Sequence, residues 1–153
     1  MNSSPAADAG IFARSFDDCV VEIGVASGRV VGVSFPSEVP DDAADDHSLL
    51  DRVEAYLDGA EDHFDDVPVA LTVPTAQRSV LEAVRNVPYA ETISVERLAR
   101  MGGLDPKDGE DRRTVETALR ENPVPLFVPD HRVEGPGATP PEVAQLLRTI
   151  ESA

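Results

Sequence analysis

Ser94-Val-Glu-Arg-Leu-Ala-Arg-Met-Gly-Gly103 runs into Leu104-Asp-Pro-Lys-Asp-Gly109 and then into the acidic and basic stretch 110–121. Ser94 is placed to cap a short helix over Val95–Met101, which Gly102 and Gly103 stop. Residues 104–109 read as a turn, and 110–121 as a second helix with Val115, Ala118 and Leu119 on its inner face. Two short helices across a Gly-containing turn form a helix-turn-helix pattern, whose second helix can enter a DNA groove. The pattern also occurs in proteins that never touch DNA, so neighbouring residues must carry the functional reading.

Working outward, Thr75 is read as the cap of a helix through Val80, Leu81 and Val84 that ends near Val87-Pro88. Asn122-Pro-Val-Pro125 terminates the second short helix. Thr139-Pro-Pro-Glu142 has the form of a capping box with Pro at the first helical position, opening a last helix through Val143, Leu146, Leu147 and Ile150. The first half is different. Cys19-Val-Val-Glu-Ile-Gly-Val25 and Val30-Val-Gly-Val-Ser-Phe35 are β-branched runs joined by a hairpin signal, Ala26-Ser-Gly-Arg29. A helix with Leu49, Leu50, Val53 and Leu57 at helical spacing follows an acidic loop at 36–46. Residues 67–73 read as another strand.

The chain has 153 residues with 29 acids against 13 bases, a net charge of −16, and Lys107 is its only lysine. Residues 1–75 hold 16 acids and 3 bases, whereas 76–153 hold 13 and 10. An acid-rich, lysine-poor surface suits a cytosol at molar salt, and we read it as halophile adaptation. At about 1 M salt the Debye length is roughly 3 Å, so net charge does not decide partners there. With 41% apolar residues a core is feasible. No apolar run is long enough to span a membrane, and the segment MNSSPAADAG carries no signal region, so a cytoplasmic monomer is expected. Cys19 stands alone, which excludes an intramolecular disulfide, and His47 and His63 lack further ligands at metal spacing.

Asn122-Pro-Val-Pro-Leu-Phe-Val-Pro-Asp-His-Arg-Val133 resembles the active-site motif N-P-x-P-x-x-x-P-C-H-R-V of the methylated-DNA–protein cysteine methyltransferases, the alkylguanine-DNA alkyltransferases. Val87-Pro-Tyr-Ala-Glu-Thr-Ile-Ser94 is similar to that family's I-P-x-G-E-x-x-S stretch. Arg112-Arg-Thr-Val-Glu-Thr-Ala-Leu-Arg120 is similar to its A-R-A-V-G-x-A recognition helix. Tyr56-Leu-Asp-Gly59 and Pro74-Thr-Ala-Gln77 fall where it has Y-x-x-G and T-x-F-Q. The resemblance spans nearly the whole chain. It implies an α+β protein: a small ribonuclease-H-like sheet domain over 1–73 and a helical, winged-helix-like DNA-binding domain over 74–153.

The resemblance also implies a chemistry. Such proteins bind the DNA minor groove, extrude a guanine because its alkylated oxygen is unreachable in the stack, and fill the gap with an Arg of the recognition helix. The alkyl group moves irreversibly to the motif Cys, whose pKa is lowered by the following His, a water and a Glu of the last helix. Carried over residue by residue, the intercalating Arg is Arg113, with Arg112 one register away. Asn122 braces the active-site turn, His131 and Arg132 follow the nucleophile position, and Glu151 is the acid of the last helix. No cofactor and no metal are implied.

The nucleophile position holds Asp130. A carboxylate is a poor nucleophile towards an alkyl carbon, so no catalytic residue is expected. Val95 replaces the family's phosphate-rotating Tyr, Glu116 a Gly of the recognition helix, and Asp111 a small residue; the G-Y-x-G-G loop has no counterpart in the shorter Gly135-Pro-Gly-Ala-Thr-Pro140. The DNA-binding set is then Arg113, Arg112, Asn122, Arg132 and Val95. Alkyltransferase-like proteins, which lack the Cys, bind alkylated DNA and flag it for excision repair, are the relatives in kind. Three functions follow as expectations: recognition of alkylated guanine in double-stranded DNA without transfer, residual transfer or hydrolysis through Asp130, and an interaction module without DNA. Some residues keep two roles open. Arg113 either wedges into the stack or pairs with Asp111 or Glu116 on the helix surface. Asp130 either bonds to the flipped base or is a relic. His131 and Arg132 serve either chemistry or packing, and Glu151 is either a site residue or a solvated terminal acid.

Overall fold

The computed structural model describes residues 9–152. The signal-region expectation at the N-terminus therefore falls mostly on residues 1–8, outside the described residues. The first half is a three-stranded antiparallel sheet in the order β1 (Gly10–Ser15), β2 (Val20–Ala26), β3 (Arg29–Ser34). Ser27 and Gly28 both have positive φ, +53° and +75°, as a tight two-residue hairpin requires. One sheet face, with Val21, Ile23, Val25, Val30 and Val33, is buried. Helix α1 (Ser48–Leu57) lays Leu50, Val53 and Tyr56 into the core, and the His47 ring caps it by accepting from Leu49 N at 3.0 Å.

β1 was not legible in the sequence. The strand expected over residues 67–73 does not form; the segment makes only the single bridge Val30↔Val69. Pro68 has no N–H to donate, and Pro74 ends the segment, so a ladder cannot continue along it.

The second half is helical: α2 (Thr75–Val84), α3 (Val95–Met101), α4 (Gly109–Arg120) and α5 (Pro141–Glu151), with a 3₁₀ turn at Asp130–Arg132 before α5. Ser94 caps α3 as expected, its Oγ accepting from Arg97 N at 3.1 Å. Thr75 does not cap α2: it is the first helical residue, after Pro74. Helices α3 and α4 pack on α2 as the helix-turn-helix pattern requires. Asp111, which departs from the family pattern, has a structural task here. Its carboxylate accepts from Asp105 N at 2.9 Å and ties the turn to the start of α4. Both halves supply one apolar core; Phe64 packs edge-on against Tyr56 and Phe127 at 5.3 and 5.2 Å.

Candidate functional site

The turn at Asp130–Arg132 is held where the helix-turn-helix begins. Ile93 N donates to Arg132 O and Glu134 N to Ile93 O, both at 2.9 Å, just ahead of the Ser94 cap. Asn122 braces it from inside: its Nδ2 donates to Val128 O at 3.0 Å and to Asp130 Oδ2 at 3.1 Å, while its Oδ1 accepts from Val124 N. The bracing role is as the sequence suggested. The DNA-contacting role is not, because Asn122 is buried and its amide is spent on the turn.

Asp130 is 3% exposed and fully engaged. Oδ1 accepts the Thr139 hydroxyl at 2.6 Å; Oδ2 accepts Asn122 Nδ2, Ala138 N at 3.0 Å and, more weakly, Thr139 N at 3.4 Å. Burial pushes its pKa above the ordinary aspartate value, and the donors from Thr139 and Asn122 only partly counter that. The loop fits this carboxyl closely. A Cβ on Gly137 would lie 2.9 Å from Asp130 Cγ, so no larger residue sits there without movement. Thr139 is therefore no capping-box residue. Its hydroxyl is drawn to Asp130, and α5 starts after Pro140 without a side-chain cap.

His131 and Arg132 face the other way, into a second buried cluster around Glu151. Glu151 Oε2 meets His131 Nε2 at 2.7 Å, Arg132 Nη2 at 3.0 Å and the Tyr56 hydroxyl at 2.5 Å, and Oε1 accepts from Arg132 Nε at 2.9 Å and Ala90 N at 3.1 Å. Five donors around a carboxylate that is 5% exposed rule out the solvated terminal acid, one of the two roles the sequence left open for Glu151. Burial alone would raise its pKa; the hydrogen bonds from His131, Arg132 and Tyr56, with the positive charge beside it, override that and hold it far below the usual range. Burial and Glu151 together drive the Tyr56 hydroxyl far up, so it remains a donor.

Arg132 also donates from Nη1 to Val87 O. Its whole guanidinium is thus used internally, which corrects its assignment to DNA binding. With Nε2 on Glu151, the other ring nitrogen of His131, Nδ1, is buried and has no hydrogen-bond partner among the described residues. A cleft of about 380 Å³ opens over the turn, lined by Asp130, His131, Gly137, Thr139, Ala144 and Arg148. Arg148 Nε donates to His131 O at 2.9 Å and fixes one wall.

The remaining candidates lie outside this pocket. Arg113 is exposed on α4 and forms no ion pair or hydrogen bond among the described residues, so the alternative pairing with Asp111 or Glu116 is not made. Arg112 approaches Glu96 at 3.8 Å with both side chains half-exposed, a weak surface contact. Val95 is half-buried, and its Cγ2 lies 3.9 Å from the position of a Cβ on Gly135. It abuts the shortened loop. Among the described residues no group of His, Cys, Asp and Glu is arranged to hold a metal ion.

What sequence reasoning missed is Tyr56 as a donor to the site and Ala90 as a strained support. Ala90 has φ +69° and stands where the family stretch has Gly. That mismatch was the available signal.

Residues 75–149 match the family model described as 6-O-methylguanine DNA methyltransferase, DNA binding domain. A methylated-DNA–protein-cysteine methyltransferase of Methanopyrus kandleri is 38% identical over 87 residues, 57% of this chain and 62% of that protein. A protein named DNA base-flipping protein, from Thermus thermophilus, is 40% identical over 86 residues, 56% of this chain and 54% of its own length. The chain thus spans less than two thirds of these relatives. The crystal structure of Mycobacterium tuberculosis OGT in complex with DNA superposes with a TM-score of 0.75 at 22% identity, covering 93% of this chain and 92% of that one, which establishes the shared fold.

Proposed function

We propose that this chain, which belongs to the 6-O-methylguanine DNA methyltransferase family, binds duplex DNA carrying alkylated guanine and holds the extruded base without accepting its alkyl group. The observation that carries this reading is the condition of Asp130. It occupies the nucleophile's place in the motif, yet both its oxygens are turned onto Thr139, Asn122 and Ala138. Hydrogen bonds to a carboxylate stabilise its charge and lower its reactivity. Transfer or hydrolysis through Asp130 is the reading this geometry opposes.

Two features support this reading. Arg113 is exposed on α4 without an ion pair or hydrogen bond among the described residues, as a side chain filling the gap in the stack would need, and the turn that would floor the pocket is braced from both sides by Asn122 and Glu151. Extrusion costs a few kcal/mol and is cheapest for a damaged base, so a binder with these parts favours lesions without chemistry. That a 40% identical relative is named for base flipping supports the same reading. No cofactor is required. The bound complex would mark the lesion for excision-repair proteins, in a cytosol whose high salt suits the acidic surface.

The test is a fluorescence-anisotropy titration of duplexes with and without O6-methylguanine, repeated across KCl concentrations. Tighter binding of the lesion duplex is expected at each salt, and equal affinities throughout overturn the proposal.

A further inference from the structure

Away from the helix-turn-helix, a cleft of about 470 Å³ lies between the β2–β3 hairpin, the extended segment 69–72 and α2. Its charged lining is Arg29, Arg78 and Arg85 against Glu82 alone, in a molecule of net charge −16. By contrast, the cleft beside Phe16 has the acids Asp17, Asp18, Glu54 and Asp58 around Arg14. Local cationic excess in so acidic a chain sets this place apart.

The walls are fixed. The tight turn at Ser27-Gly28 sets the base of Arg29. The edge of the hairpin is tied to the extended segment by Val30 N to Pro68 O and Ala70 N to Val30 O, both at 2.9 Å. Arg85 is anchored by Nη2, which donates to Phe64 O at 2.6 Å and Val67 O at 3.0 Å.

Arg14 holds Asp45, Asp51 and Glu54, and Arg52 holds Asp62 and Asp66. Among the described residues, Arg29, Arg78 and Arg85 form no ion pair. Arg85 is half-buried, and its desolvation outweighs the longer-range attraction of Asp65 and Asp66. A desolvated cation without an acid in contact is stabilised by any anion that reaches it. Phosphate matches the planar fork of arginine. The volume lies within the roughly 300–1,000 Å³ of small-molecule sites.

We propose that this cleft binds a phosphate group between Arg29 and Arg78, against the fixed guanidinium of Arg85. The phosphate comes either from the backbone of a duplex or from free phosphate or a mononucleotide. Glu82 opposes it.

The experiment uses the full chain at low salt in two arms. In the first, inorganic phosphate is titrated calorimetrically into wild type, Arg29→Ala/Arg78→Ala and Glu82→Gln. In the second, an unmodified duplex is titrated by anisotropy across KCl with the same proteins. Arg29 and Arg78 are exposed, so the double variant is expected to keep the wild-type melting curve. It should weaken binding by about tenfold or more in at least one arm, and Glu82→Gln should tighten the same arm. A loss confined to inorganic phosphate assigns the site to free phosphate or a mononucleotide. A loss of duplex affinity, with the salt slope reduced by ~0.9 per lost contact, assigns it to the backbone. The proposal is overturned if the double variant equals wild type in both arms. Neither arm contains a lesion, so that outcome leaves the reading of alkylguanine recognition intact.

Discussion

The Tyr56 hydroxyl donates to Glu151 Oε2 at 2.5 Å, across 95 residues of chain. It joins a helix of the acidic half to the last helix, and through Glu151 to His131 and Arg132 in the turn under the pocket. Removing the hydroxyl takes one of five donors from a buried carboxylate. Tyr56→Phe should lose about 1.5–3 kcal/mol of stability, read as a lower urea midpoint at unchanged m-value. An unchanged midpoint would mean that the bond contributes nothing.

The two buried carboxyls should give opposite pH signatures. Glu151 has a folded pKa far below its unfolded value, so its contribution is present above the ordinary glutamate value, about 4.3, and is lost as pH falls below it. Asp130 has a raised folded pKa, so its contribution is present below the ordinary aspartate value, about 3.9, and is lost as pH rises through the folded one. Glu151→Gln should therefore flatten the acid limb of stability, at a cost of ~3–5 kcal/mol at neutral pH because Arg132 is left buried without its partner. Asp130→Asn should steepen that limb. Its amide oxygen can replace Oδ2, and its NH₂ can donate to Thr139 Oγ1. Urea midpoints from neutral pH down into the acid range distinguish these outcomes from parallel curves.

Ala90 holds φ +69° and donates its N–H to Glu151 Oε1 at 3.1 Å. A side chain in this left-handed region costs of order 1–3 kcal/mol, partly offset by the greater unfolded-state freedom of glycine. Ala90→Gly is expected to raise the thermal midpoint, with a net gain of ~0.5–1 kcal/mol. A lower midpoint would show that the methyl group is needed.

Arg113 is exposed and forms no ion pair or hydrogen bond among the described residues, so its removal should leave stability within about 0.5 kcal/mol. Arg113→Ala should nevertheless reduce the preference for lesion over unmodified duplex by roughly tenfold, since the extruded base would lose its stand-in. Equal loss on both duplexes would instead make it a backbone contact.

Much of this fold could be read from local signals. The Ser94 cap, the Gly102-Gly103 stop and the Ser27-Gly28 turn act within a few residues, and the structure has each of them. β1 was hidden because its short run, Gly10–Ser15, becomes a strand only by pairing with β2, and Arg14 within it is held by distant acids. The site was legible as a list and not as an arrangement. The motif named Asn122, Asp130, His131, Arg132 and Glu151, but nothing local showed that Asn122 and Arg132 point inward or that Thr139 serves Asp130 instead of α5. Those outcomes rest on contacts between residues 8 to 45 positions apart.

The most direct test of the central claim is the intact mass of the protein after incubation with a duplex containing O6-methylguanine, with the recovered duplex assayed for the lesion. The account predicts an unmodified polypeptide and undiminished O6-methylguanine. A methyl adduct on the chain, or loss of the lesion from the duplex, would contradict it.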